Sequence, residues 1–147
     1  MTPIVIEENK DIARRYVKEI AEAGNLDRLG EFVAKDVVNH DAVSGTNADT
    51  REERGLEAFR HHVKAIVKGF SDREFDIQDM IAEDDRVMVR FVFTGTHKGA
   101  MGVEPTGERV TFSGIVVYRI EDGKIVERWS EANMLGVMQQ LGAIRAQ

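Results

Sequence analysis

The chain contains no cysteine, which removes three chemistries at once: a disulfide framework, a thiolate metal site and a cysteine nucleophile. Positive charge is also in short supply. Lys and Arg number 20 against 26 Asp and Glu, a net charge of -6 with no basic block, and this disfavours a nucleic-acid partner. No apolar run approaches the ~18 residues that a membrane-spanning helix needs. Residues 1–10 lack a basic start followed by an apolar stretch, so no signal peptide is expected and a cytoplasmic address is the default. A Gly-rich phosphate loop, a His-Glu-x-x-His metal helix and a Gly-x-Ser-x-Gly nucleophile elbow are all absent. So are internal repeats, low-complexity segments and linkers. What remains is a globular composition, 42% hydrophobic and 31% charged, in a single domain spanning 1–147 that is long enough to bury a core.

Hydrophobic periodicity divides this domain in two. Residues 6–23 read as an amphipathic helix with Ile12, Tyr16, Val17, Ile20 and Ala23 on one stripe. Gly24 stands where a left-handed C-cap would end it. Asn25 is placed to cap a short second helix bearing Leu26, Leu29, Phe32 and Val33. Residues 37–41 suggest a brief strand, and polar residues 42–51 a mobile surface loop. Thr50 and Glu53 then have capping-box spacing before a helix with Leu56, Phe59, Val63, Ile66, Val67 and Phe70 on one face.

From Arg73 the period falls to two. Phe75, Ile77 and Ile81 share one strand face, and Val87, Val89, Phe91 and Phe93 share a face of the next strand. Residues 98–108 form a Gly-rich connection. Residues 110–120 and 125–133 flank Glu121-Asp122-Gly123-Lys124, where Asp-Gly is a strong hairpin signal. A run of helices followed by a run of strands implies an α+β fold. The expected form is a cone-shaped α+β barrel: three N-terminal helices packed on a curved, mainly antiparallel four-stranded sheet plus a short strand. A conical cavity between the layers suits a small apolar ligand.

Several side chains are candidates for a site. On the last strand Trp129, Glu131 and Asn133 share one face, and Arg128, Ser130 and Ala132 the other. An indole, a carboxylate and an amide in line resemble a ligand wall, although a strand end facing water would look the same. His40 precedes Asp41, a pair in which a carboxylate can orient an imidazole. Arg90 stands among apolar strand residues, suited either to a substrate oxygen or to a structural ion pair. Met134, with Met101 and Met138, suits an adaptable cavity rim or ordinary packing. His97 reads as peripheral, and His61-His62 as a solvated helix face.

Nine short motifs, in order over nearly the whole chain, carry a resemblance. They are Gly-Asn-Leu-Asp at 24–27, Val-Val-Asn-His-Asp at 37–41, Gly-Leu-Glu-Ala-Phe at 55–59 and Phe-Ser-Asp at 70–72. Ile-Ala-Glu-Asp-Asp-Arg-Val follows at 81–87, then Gly-Thr-His-Lys-Gly at 95–99 and Pro-Thr-Gly at 105–107. Tyr-Arg-Ile-Glu-Asp-Gly-Lys-Ile-Val-Glu-Arg-Trp at 118–129 and Met-Gln-Gln-Leu-Gly at 138–142 complete the set. The chain resembles the SnoaL-like polyketide cyclases, or ester cyclases, of the nuclear-transport-factor-like fold. The resemblance implies an apolar interior, a homodimer or higher homo-oligomer formed through the outer sheet face, and no metal or organic cofactor. It also implies an intramolecular aldol closure in which an acidic side chain removes a proton beside a carbonyl.

The family's key Asp lies four residues after the Trp, where this chain has Asn133. An amide can donate to an oxyanion but cannot act as a general base. The expectation is therefore a cyclase- or isomerase-type protein on a small hydrophobic carbonyl compound. Glu131 or His40 would move the proton, Asn133 would stabilise an oxyanion, and Arg90, Trp129 and Met134 would contact substrate. The alternatives are a non-catalytic binding or dimerisation module and a hydroxylase-like member.

Overall fold

The computed structural model describes residues 2–41 and 52–145. Helix α1 spans Pro3–Arg15 and continues as a π-helical segment over Tyr16–Glu22. Thr2 caps it by accepting the Val5 amide, and Gly24, at φ 79°, ends it in the left-handed region. A 3₁₀ turn, Leu26–Arg28, leads into the four-residue α2, Leu29–Phe32. Asn25 stands before that turn but makes no side-chain capping bond, against the sequence expectation. Then come β1 (Val33–Asp41), the two-residue β2 (Glu53–Arg54) and α3 (Leu56–Gly69), with Gly55 at its N-terminus. The expected Thr50–Glu53 capping box and the loop at 42–51 fall largely outside the described residues. Strands β3 (Phe70–Glu83), β4 (Arg86–His97), β5 (Arg109–Glu121) and β6 (Lys124–Ala132) follow, and helix α4 (Met134–Gln140) closes the fold. The seven-residue α4 is an element that periodicity alone did not signal.

Among the described residues the strands form one sheet in the order β2-β1-β6-β5-β4-β3. Its pairings are antiparallel except for β1 with β6. The sheet therefore has six strands rather than four and a fragment, because β1 runs nine residues and brings β2 with it. The β5–β6 hairpin turns at Asp122 (φ 49°) and Gly123 (φ 77°), the two positive φ values of a type I′ turn.

Of the register shifts in the sheet, two bear on faces assigned from the sequence. In β3 the pairing with β4 shifts between Ile77 and Asp79. One extra residue exchanges the faces of everything beyond it. Phe75 and Ile77 pack on the core, but past the bulge Met80 and Ala82 do so, and Ile81 is 62% exposed. The expected common face for Phe75, Ile77 and Ile81 is thus broken. A second shift lies between Arg119 and Ile120 in the β5–β6 pairing, and it governs the site.

The core joins Ala13, Tyr16, Val17 and Ile20 to Phe59 and Val63 of α3 and to the inward residues of β4 and β5. Arg73 stitches the layers. Its guanidinium donates to the carbonyls of Ala21 (3.1 Å), Glu22 (2.9 Å), Val67 (2.9 Å) and Phe70 (2.7 Å). Four backbone acceptors from three segments thereby gain a donor.

Candidate functional site

Between helices and sheet lies a cavity of about 930 Å³. Phe75, Phe91, Phe93 and Phe112 form its aromatic floor. Phe93 packs against Phe75 at 5.0 Å and Phe112 at 4.8 Å, spacings typical of favourable ring pairs. Met101, Met134 and Met138 also line it, three flexible thioethers that can adapt to an irregular guest. The end of α3 and the 98–108 loop close together over it. A Cβ on Gly69 would sit 2.5 Å from the Ala100 Cβ, so only glycine permits this approach.

His97 holds that loop. It is fully buried, yet it does not line the cavity. Its Nε2 donates to the Ala100 carbonyl at 2.8 Å, while Nδ1 accepts from the Thr106 amide at 3.3 Å and lies 3.0 Å from the Thr106 hydroxyl. A carbonyl can only accept, so the ring proton sits on Nε2.

The polar wall comes from β5 and β6. Tyr118, Arg128 and Ser130 line the cavity, with His62 contributed by α3 and Lys68 and Lys98 nearer the outside. Arg128 Nη1 donates to Oδ1 of the buried Asn39 at 3.2 Å, and Arg128 also hydrogen-bonds the Tyr118 side chain. A guanidinium is only a donor, so the phenol oxygen accepts and Tyr118 keeps its own proton to donate. Burial pushes the Tyr118 hydroxyl above its ordinary value, and neighbouring Arg128 offsets part of this. The phenol is therefore protonated across the neutral range. No Asp or Glu lines the cavity among the described residues.

The face of β6 expected to form the wall is the outer one. Ile125 is buried, and an unbroken period of two would turn Glu127, Trp129 and Glu131 inward with it. The bulge next to Ile125 exchanges the faces, so Arg128, Ser130 and Ala132 point to the cavity instead. Glu131 is exposed. Trp129 lies on the outer face, stacked on His40 at 5.1 Å with Arg86 over its ring at 4.8 Å. His40 does not reach the cavity, and its Nε2 bonds Glu127 at 2.6 Å. Arg119 donates to the other Glu127 oxygen at 2.9 Å. Arg90 pairs with Asp79 at 2.6 Å, both half-exposed. Asn133 is exposed, and its Oδ1 accepts the Gly136 amide at 3.0 Å as the N-cap of α4.

Of the six residues given catalytic or substrate contacts from the sequence, Met134 lines the cavity, together with Met101 and Met138, also expected at its rim. Tyr118, Arg128 and Ser130 were passed over, although the alternation of β6 had already placed Arg128 and Ser130 together. His62, assigned to a solvated face, belongs to the wall, while His61 is exposed. No group of three His, Asp or Glu is placed to hold a metal among the described residues. No described helix is long and apolar enough to cross a membrane.

The SnoaL-like polyketide cyclase family model matches residues 10–141. The chain belongs to that family. Two relatives of this SnoaL-like chain are aklanonic acid methyl ester cyclases. DauD of Streptomyces sp. (strain C5) is 32% identical over 90% of this chain and 80% of its own length. DnrD of Streptomyces peucetius is 32% identical over 90% of this chain and 89% of its own. Among solved structures, AclR of Streptomyces galilaeus superposes with a TM-score of 0.81 at 27% identity, covering 97% of this chain and 85% of that one. A SnoaL-like polyketide cyclase of Agrobacterium tumefaciens does so with 0.73 at 25% identity, covering 91% and 98%.

Proposed function

We propose that this SnoaL-like chain encloses a small hydrophobic carbonyl compound and performs cyclase- or isomerase-type proton transfer on it with its own side chains, without a metal or organic cofactor. The observation that carries this reading is the Tyr118–Arg128 pair set in the wall of an otherwise aromatic and aliphatic cavity. Loss of a proton beside a carbonyl moves negative charge onto its oxygen. A phenol proton and a guanidinium held in place before the reaction stabilise that charge without reorganising. The low polarity around them strengthens the effect. Two relatives at 32% identity are named for acting on a methyl ester by cyclisation, which supports the same class of chemistry.

Proton removal falls to His62. It is the imidazole on the described wall, with a ring nitrogen able to accept a proton. Asn133 has no proton to exchange and is engaged with Gly136. The test is turnover of polyketide methyl esters and other enolisable carbonyl compounds. Tyr118→Phe and His62→Gln should each lower the rate by about 10²-fold or more, and Glu131→Gln should leave it within about twofold. The reverse pattern, with Glu131→Gln inactive and both wall variants active, overturns the reading.

A second reading has its own support. With no carboxylate on the described wall, a non-catalytic binding module is chemically consistent. Saturable binding of the same compounds without turnover in the parent selects it.

We propose also that a second copy covers the outer sheet face. Ile81 and Ile115 are 62% and 43% exposed there, beside ion pairs of both signs, Arg90–Asp79 and Arg119–Glu127. A two-fold interface requires such self-complementarity. Light scattering should give a dimer for the parent and a monomer for Ile115→Arg, and a monomeric parent would refute it.

A further inference from the structure

Two glycines stand inside the strands that floor the cavity. Gly95 lies in β4 two residues after Phe93, and Gly114 lies in β5 between Phe112 and Val116, all three of which line the cavity. Period two turns both glycines to the same side. Glycine within a strand weakens it, and it marks places where another group must come close. Neither residue has a positive φ, so no backbone conformation calls for glycine here. The reason is space. A Cβ on Gly114 would stand 2.6 Å from Cζ of Phe91, its cross-strand partner, and 3.1 Å from the Glu131 carbonyl oxygen. A Cβ on Gly95 would stand 2.7 Å from Cζ of Phe93. Each ring tip therefore rests at the level where side chains leave the sheet. The rings run along the sheet rather than up from it, and the hollow of about 930 Å³ opens above them.

We infer that Gly114 sets how large a ligand the cavity admits: lacking a Cβ, it lets the Phe91 ring lie down, and the room above that ring is room a larger carbonyl compound occupies. This rests on the reading above, that the cavity is where a ligand binds. Gly114 is a positioning residue that acts through Phe91. Gly95 stands in the same relation to Phe93, but that ring is 1% exposed and wedged among Phe70, Phe75 and Phe112. Phe91 is held more loosely, with Phe75 at 5.4 Å and Phe112 at 6.4 Å. A methyl group at position 114 would leave its tip one direction to move, up into the hollow, because the backbone lies beneath. A ring laid over a cross-strand glycine also packs favourably on the sheet. That role alone would alter stability without regard to ligand size.

The experiment is equilibrium dialysis of the full chain against acetophenone, 2-acetylnaphthalene and 2-acetylanthracene, enolisable ketones that grow by one ring at a time. Gly114→Ala should hold acetophenone within about twofold of the parent and weaken 2-acetylanthracene about tenfold or more, since crowding a packed site is costly. Adding Phe91→Leu to Gly114→Ala removes the ring tip and should bring 2-acetylanthracene back to within about threefold of the parent. An equal loss for all three ketones, no loss, or no recovery in the double variant overturns the inference while leaving the cavity as a binding site. Binding of none of the three by the parent removes both the inference and the reading beneath it. Should Gly114→Ala fail to fold, Phe91→Trp serves instead. The wider indole has no room below it, so it should weaken 2-acetylanthracene and spare acetophenone, and an unchanged ratio of the two counts against the proposal.

Discussion

The two faces of β6 carry different chemistry in different surroundings. Outward, Glu127, Trp129 and Glu131 present carboxylates and an indole, with His40, Arg86 and Arg119 close by. Inward, Arg128, Ser130 and Ala132 present one charge, one hydroxyl and a methyl. The outer face is richer in groups associated with catalysis, yet its groups are matched to one another near solvent. The inner face has few, but Arg128 is held by buried Asn39 and set beside a phenol and aromatic rings. A polar group in apolar surroundings interacts more strongly than the same group near water. Density of functional side chains along a strand is thus a poorer guide to a site than the polarity of what surrounds them.

The sharpest way to test that contrast is to truncate one apolar residue on each side of the sheet. Phe93 is 1% exposed and packs on Phe70, Phe75 and Phe112, so Phe93→Ala should cost about 3–5 kcal/mol in urea unfolding. Ile115, 43% exposed on the outer face, should lose no more than about 0.5 kcal/mol as Ile115→Ala when the chain is monomeric. Comparable losses would show that the two faces do not differ as described.

The same contrast applies to the histidines. His97→Ala removes the donor to Ala100 and the acceptor for Thr106 and leaves buried groups unmet, an expected loss of about 1–3 kcal/mol. His61→Ala, at an exposed site, should fall within about 0.5 kcal/mol. Proteolysis within residues 98–108 should quicken in His97→Ala alone.

Element types were legible because their causes are local. The stripe from Ile12 to Ile20, the alternation from Val87 to Phe93 and the Asp122-Gly123 turn each reflect a backbone preference over a few residues. The motif set likewise identified the family, since it spans the chain. The cavity-facing side of β6 was misread for one physical reason. A bulge adds a residue without a compositional mark, and two of them, near Gln78 and beside Ile125, exchanged the faces of Ile81 and of the whole end of β6. Burial of His97 was illegible for another reason: it depends on the 98–108 loop folding back to Gly69, a contact between distant segments. Helix α4 is short and contains Gly136, so its propensity is weak.

A smaller effect should separate the faces by pH. Desolvation pushes the Glu127 carboxyl up, but the bonds from His40 and Arg119 outweigh it and hold the group below its ordinary value. A carboxyl depressed in the folded state stabilises above its unfolded pKa of ~4.3, and that contribution is lost as pH falls through the folded value. The parent should therefore lose stability steadily below about pH 4.5. Glu127→Gln should be less stable than the parent at pH 7 and show a shallower loss on acidification. Glu131→Gln, at an exposed site, should stay within about 0.5 kcal/mol of the parent. Parallel curves for parent and Glu127→Gln would mean that the outer network contributes nothing.

The smallest effect concerns Asn133, where the resemblance implies an acidic side chain. Asn133 lies on the outer side of the strand end, and its Oδ1 accepts the Gly136 amide at the start of α4. That bond satisfies a backbone donor which the helix itself cannot, so Asn133→Ala should cost about 1 kcal/mol. A carboxylate accepts the same amide and adds a favourable interaction with the helix N-terminus. Asn133→Asp should therefore match the parent to within a few tenths of a kcal/mol at pH 7 and fall behind it only in acid, where the carboxyl takes up a proton. The two substitutions separate the roles open to this side chain. Stability that follows the order Asp, Asn, then Ala marks a cap, whatever the effect on turnover. A rate that rises in Asn133→Asp without that order would return the position to the cavity and break the division between the faces of β6.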